Sequence, residues 1–124
     1  MALTKIKAGQ IDESALASNK SISKTDSYTI TTDDIAGTGH LFVYVDSTGS
    51  TDPLEITLPT AAQMSGMLIT VWVETYNKQT KVEKNPSGSV ATFNAVDDYV
   101  TVTADGTKYL TKDNKVTAGG GPPL

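Results

Sequence analysis

From Tyr28 to Leu110 apolar and polar residues alternate in short runs, separated by segments rich in glycine, aspartate, serine and proline. A period of two puts successive side chains on opposite faces of a strand, so each run predicts a β-strand and each interruption a turn. Leu54-Glu55-Ile56-Thr57-Leu58 is a clean alternation that stops at Pro59, which has no ladder N–H to offer. Thr60 to Gly66 fits one helical turn, with Thr60 as N-cap and Gly66 as its stop. The aliphatic run Met67 to Val73 follows and carries the only tryptophan. Met67, Ile69, Val71 and Val73 share one face, whereas Leu68, Thr70 and Trp72 share the other. The core is expected here, with Ile56, Leu58, Ile69 and Val71 filling it.

His40 to Asp46 is a second strong strand, apolar on both faces: Leu41, Val43 and Val45 on one, Phe42 and Tyr44 on the other. Two-sided apolarity calls for cover from another sheet or another subunit. Phe42, Tyr44, Leu68 and Trp72 are therefore the candidate subunit contacts. Weaker strands are expected at Tyr28–Thr31, Thr80–Lys84, Val90–Phe93 and Tyr99–Ala104, with Thr107–Leu110 returning through a two-residue turn at Asp105-Gly106. Lys81 and Lys84 mark Thr80–Lys84 as an exposed edge. No helical crossover is long enough to link parallel strands, so the predicted class is all-β, a single antiparallel β-sandwich or jelly-roll-like domain over residues 26–117.

Residues 1–25 break the pattern. Leu3, Ile6, Ile11, Leu16 and Ile22 follow neither a helical nor an alternating period, which fits a tail or an arm that orders on a partner. Residues 118–124, Ala-Gly-Gly-Gly-Pro-Pro-Leu, predict a flexible C-terminal tail.

Composition narrows the partners. All ten basic residues are lysine, and a net charge of −4 argues against nucleic acid or an anionic membrane surface. No run approaches the roughly 18 apolar residues of a membrane span, and the first ten residues lack the apolar segment of a secretory signal. Without cysteine there is neither a disulfide framework nor a thiolate metal site.

Chemistry-bearing residues are sparse. His40 is the single histidine and has no motif partner, so a structural or exposed role is expected and no cofactor is predicted. Asp33-Asp34, Asp97-Asp98 and the Asp46–Asp52 loop are turn-type acids that match no calcium loop. Trp72, with Tyr44 and Tyr99, has the residue types to stack a sugar, although packing is the expected role. The chain reads as non-enzymatic.

The order of these segments resembles a β module of bacteriophage tail fibres, head fibres and related virion proteins. The resemblance runs through Tyr28-Thr29-Ile30, Val43-Tyr44-Val45-Asp46-Ser47-Thr48, Ile56-Thr57-Leu58-Pro59, Leu68-Ile69-Thr70-Val71, and Val100-Thr101-Val102 with Asp105-Gly106-Thr107-Lys108-Tyr109. Leu3 to Ile11 is similar to segments near the start of phage fibre chains. The resemblance implies a homotrimer on the outer capsid surface of a virion, made in the host cytoplasm. For a chain this short it implies a capsid decoration (cement) protein or short head fibre, with the major capsid protein or another virion protein as partner. Leu3, Ile6, Ile11 and Leu16 would dock the N-terminal arm, and Lys5 and Lys7 would pair with acidic shell residues. Two alternatives stay open: a tail-fibre or baseplate adaptor that attaches to a host receptor such as a glycan, and a carbohydrate- or calcium-binding sandwich outside any virion.

Overall fold

The computed structural model describes residues 18–117. They form nine strands and one helical turn: β1 (Asn19–Lys24), β2 (Tyr28–Thr29), α1 (Thr32–Ile35), β3 (His40–Asp46), β4 (Leu54–Thr57), β5 (Leu68–Thr75), β6 (Thr80–Glu83), β7 (Ser89–Phe93), β8 (Tyr99–Ala104) and β9 (Tyr109–Lys115). The all-β expectation stands.

The strands make a five-stranded sheet in the order β1-β3-β5-β8-β9 and a four-stranded sheet in the order β2-β4-β6-β7. The antiparallel expectation is corrected. β1/β3, β3/β5, β2/β4 and β4/β6 pair in parallel, and only β5/β8, β6/β7 and β8/β9 pair antiparallel. The chain steps from one sheet to the other after β1, β3 and β5 and returns each time one strand further along. The opposite sheet thus serves as the crossover that parallel pairing requires, and no helix is needed. After β6 the coil ends, and β7, β8 and β9 close it antiparallel.

Three corners at one end carry the chain between sheets, and side-chain hydroxyls tie them together. Buried Ser47 accepts from the backbone N–H groups of Asn77 and Lys78 at 2.8 and 2.9 Å and donates to Lys78 O. Ser50 Oγ donates to Thr25 O, and Asn77 Nδ2 donates to Ser50 O.

The core lies between the sheets. Leu41, Val43, Val45, Ile56, Leu58, Ile69, Val71, Val73, Val82, Phe93 and Val102 are fully buried, so the core residues expected around Leu54–Val73 are in place. At about 25 cal/mol per Å² of apolar surface, each such side chain contributes roughly 1.5–3 kcal/mol. The Thr60–Gly66 turn caps one end of the core. Thr60 Oγ1 accepts from Gln63 N, Gln63 Oε1 accepts from Thr60 N, and Met64 is fully buried beneath. Gly66 has φ +78°, which a side chain would strain.

Four other expectations change. Asn19–Lys24, inside the stretch assigned to the N-terminal arm, is strand β1 along β3. β6 is no edge: it lies between β4 and β7, with Thr80 and Val82 buried. The β8–β9 connection spans Asp105–Lys108, because Asp105 Oδ1 accepts from both Thr107 N and Lys108 N and sets a wider loop. Thr32–Ile35, read as a turn, is a helical turn with a capping box between Thr31 and Asp34. Asp34 also accepts from Tyr28 OH.

Candidate functional site

The four candidate contact residues come together on the outer face of the five-stranded sheet, turned away from the core. Register fixes the grid. One row runs His40–Leu68, with Thr103 and Leu110 beyond; a second Ser21–Phe42–Thr70–Thr101–Asp113; a third Ser23–Tyr44–Trp72–Tyr99–Lys115. Five strands at about 4.8 Å spacing make this face roughly 20 Å wide. Phe42, Tyr44, Leu68, Trp72 and Tyr99 are half-buried by one another. Charge enters the grid only along β9, at Asp113 and Lys115.

The rings pack against each other. His40 stacks on Phe42 with centroids 4.1 Å apart, and Phe42 stacks on Tyr44 at 6.4 Å. Across the strands Trp72 stacks on Tyr99 at 5.0 Å. Both faces of Phe42 are therefore occupied, and Trp72 and Tyr99 give one face each to the other.

The polar atoms between the rings bond to each other. His40 Nε2 lies 2.8 Å from Thr70 Oγ1, which lies 2.7 Å from Thr101 Oγ1. Thr103 Oγ1 donates to Met67 O at 2.6 Å. Trp72 Nε1 donates to Asp97 Oδ1 at 3.1 Å, and Tyr99 OH donates to Asp113 Oδ2 at 3.0 Å. That bond to a carboxylate holds the Tyr99 phenol above its ordinary range. Burial lowers the His40 pKa, favouring the neutral ring. These groups are already satisfied, so the part of the face they occupy can be covered without a desolvation penalty for unpaired atoms.

No family model, curated protein or solved structure matches this chain.

At the border of this face stands Asp98, the one buried carboxylate among the described residues. It accepts from Asn94 N (3.0 Å), Thr117 N (3.0 Å) and Thr117 Oγ1 (2.7 Å), with Lys115 Nζ 3.5 Å away. Burial alone would push its pKa up; the bonds from Thr117 and Asn94, with Lys115, outweigh that and hold it below the usual carboxylate range. Its neighbour Asp97 sits at φ +71°, a left-handed conformation that brings its carboxylate to Trp72. The pair thus anchors the end of β9 and the tryptophan.

Among the described residues no three His, Asp or Glu side chains are grouped to hold a metal ion. Leu3, Lys5, Ile6, Lys7, Ile11 and Leu16 lie outside the described residues. Sequence reasoning set Tyr99 aside from the contact set and missed the threonine chain. The alternation Tyr99, Thr101, Thr103 placed them on one face; their partners, some thirty residues away, carried no local signal.

Proposed function

We propose that this protein is a non-enzymatic structural component of a bacteriophage particle, a capsid decoration protein or short head fibre. In this reading it self-associates as a homotrimer through the outer face of the five-stranded sheet. Residues 1–17, with Leu3, Lys5, Ile6, Lys7, Ile11 and Leu16, dock on the major capsid protein or another virion protein at the outer capsid surface. The observation that carries the assembly reading is the internally satisfied aromatic grid around Phe42, Trp72 and Tyr99. The virion assignment rests on the ordered motifs from Tyr28 to Tyr109. A decoration protein of this type stabilises a shell by binding its assembled form in preference to free subunits.

The tail-fibre or adaptor reading, with a glycan on Tyr44 and Trp72, draws on the same aromatics. The bonds of Trp72 Nε1 to Asp97 and of Tyr99 OH to Asp113 weigh against it, since a sugar needs polar groups free to bond it. Light scattering of the isolated protein should give the mass of three chains, and a monomer rejects the trimer. Truncation before Ser18 leaves intact Ser18 O, which accepts from Gly39 N and His40 N. The truncated protein should keep its fold and lose binding to purified shells; retained binding rejects the arm. Hundreds of copies per particle fit decoration, whereas a few or tens fit a tail.

A further inference from the structure

The two sheets do not match. The five-stranded sheet has one strand more than the sheet facing it, and the surplus falls at β9. Tyr109 OH, where β9 begins, donates to Pro59 O at 2.6 Å and accepts from Asn85 N in the turn before β7 at 3.1 Å, and Asn94 Nδ2, just after β7, donates to Thr117 O beyond the end of β9. β9 therefore runs alongside β7, with its ends fastened and its middle open. Thr111 and Asn114 lie on the core side, opposite Val102 and Val100, yet both are exposed. Their exposure marks the core side of mid-β9 as uncovered by the described residues.

The strand that borders this gap differs from the other edges. β1 carries Lys20 and Lys24, β9 carries Lys112 and Lys115, and β2 has only two residues. Lysines and short length are the usual protection of an edge. β7, Ser89-Val90-Ala91-Thr92-Phe93, has no charge and three β-branched or aromatic residues. Apart from Thr92 O, which accepts a long 3.5 Å bond from Asn94 Nδ2, its main chain is bonded only through the β6 ladder among the described residues.

We propose that β7 is a strand-addition site: an extended, acidic peptide segment of another polypeptide pairs along it and fills the place beneath β9. Main-chain bonds would supply the affinity and the strand under β9 would complete the second sheet. Charge selects the occupant. Lys84 packs beside Gly88 at the start of β7, Lys108 immediately precedes β9 and Lys112 lies on it, against the single carboxylate Glu83 opposite Ser89; among the described residues the only ion pair within 4 Å is Lys115–Asp98. This chain's own termini fit poorly: residues 3–7 bring Lys5 and Lys7, residues 119–123 are Gly-Gly-Gly-Pro-Pro, and the acidic Asp12-Glu13 pair joins the described chain at Ser18 beside β1, at the opposite edge of the five-stranded sheet from β9, about 19 Å away at four strand spacings. The site is separate from the aromatic face and does not rest on self-association there.

The test uses the full chain and two fluorescein-labelled peptides, Val-Glu-Val-Thr-Val-Glu-Val-Thr and its counterpart with lysine for glutamate. The acidic peptide should raise polarisation saturably, bind at least about tenfold more tightly than the lysine peptide, and slow amide exchange across Ser89–Phe93 by about tenfold or more. Thr92→Pro should abolish binding while keeping the far-UV circular dichroism; the peptide comparison on the unaltered protein needs no variant. No binding, equal binding of both peptides, or protection at β1 or β2 instead of β7 overturns the proposal. So does prior protection of β7 in the free protein: lost on dilution, it names a second copy as occupant; lost on removing residues 1–17, it names this chain's own segment.

Discussion

Replacing Asp98 by asparagine should loosen the last strand and cost a measurable share of the stability. The parent carboxylate receives three hydrogen bonds, two from backbone N–H groups and one from Thr117 Oγ1, and its side chain is fully buried. Hydrogen bonds to a charged acceptor are worth about 1.5–3 kcal/mol each, and they are not additive. Asparagine keeps one acceptor oxygen, so about 2 kcal/mol is expected; alanine leaves both N–H groups unsatisfied and should cost about 3 kcal/mol. For a domain of about 100 residues, 2 kcal/mol lowers the melting temperature by roughly 8–16 °C. The sign with pH follows from the depressed pKa of Asp98. Its contribution is present above the ordinary aspartate value near 3.9 and is lost as pH falls through the lower folded-state value. The gap between parent and Asp98→Asn is thus full at pH 7 and narrows below about pH 4. The other lowered carboxylates, Asp34, Asp46 and Asp105, are common to both proteins and cancel in the difference. Melting curves at pH 7 and pH 3, with amide exchange of β9, measure both effects. A variant melting within about 2 °C of the parent at pH 7 would refute the anchoring role.

Thr80→Val should stabilise the fold by about 1 kcal/mol, because Thr80 Oγ1 is buried without a hydrogen-bond partner among the described residues and valine has nearly its shape; denaturant titration showing a loss would mean that the hydroxyl has a partner. His40 is held below its ordinary pKa by burial, so the unfolded chain takes up a proton first as pH drops below about 6.5. Stability should be whole above that pH and decline beneath it, and His40→Gln should flatten the slope between pH 7.5 and 5.5. Trp72→Ala should weaken self-association at least about thirtyfold by analytical ultracentrifugation, the loss of a central aromatic contact; unchanged association would remove this face from the interface.

Much of the architecture was legible. Alternation in β4 and β8 and the apolar runs of β3 and β5 located these strands to within a residue or two, and the period of two sorted Leu41, Val43, Val45, Ile69 and Val71 inward from Phe42, Tyr44 and Trp72. Strand direction was not legible, because alternation fixes which face a side chain takes and says nothing of which neighbour the strand meets. β1 escaped notice for a related reason: Asn19-Lys20-Ser21-Ile22-Ser23-Lys24 has one apolar residue, enough for an edge but too few for a pattern. Asp98 looked like any turn aspartate, since the residue that reveals its role, Thr117, is nineteen positions away.

The unequal turns of the parallel coil have a consequence for how such a chain can change. Ile22, Val43 and Val71 lie side by side, although the segments joining them differ in length. The difference is taken up outside the strands, in corners such as Ser47–Pro53 and Tyr76–Gln79. Residues can be gained or lost there without shifting any side chain from inside to outside, provided Ser47 keeps its hold on Asn77 and Lys78. That end of the molecule is free to diverge while the grid of aromatic rings keeps its spacing.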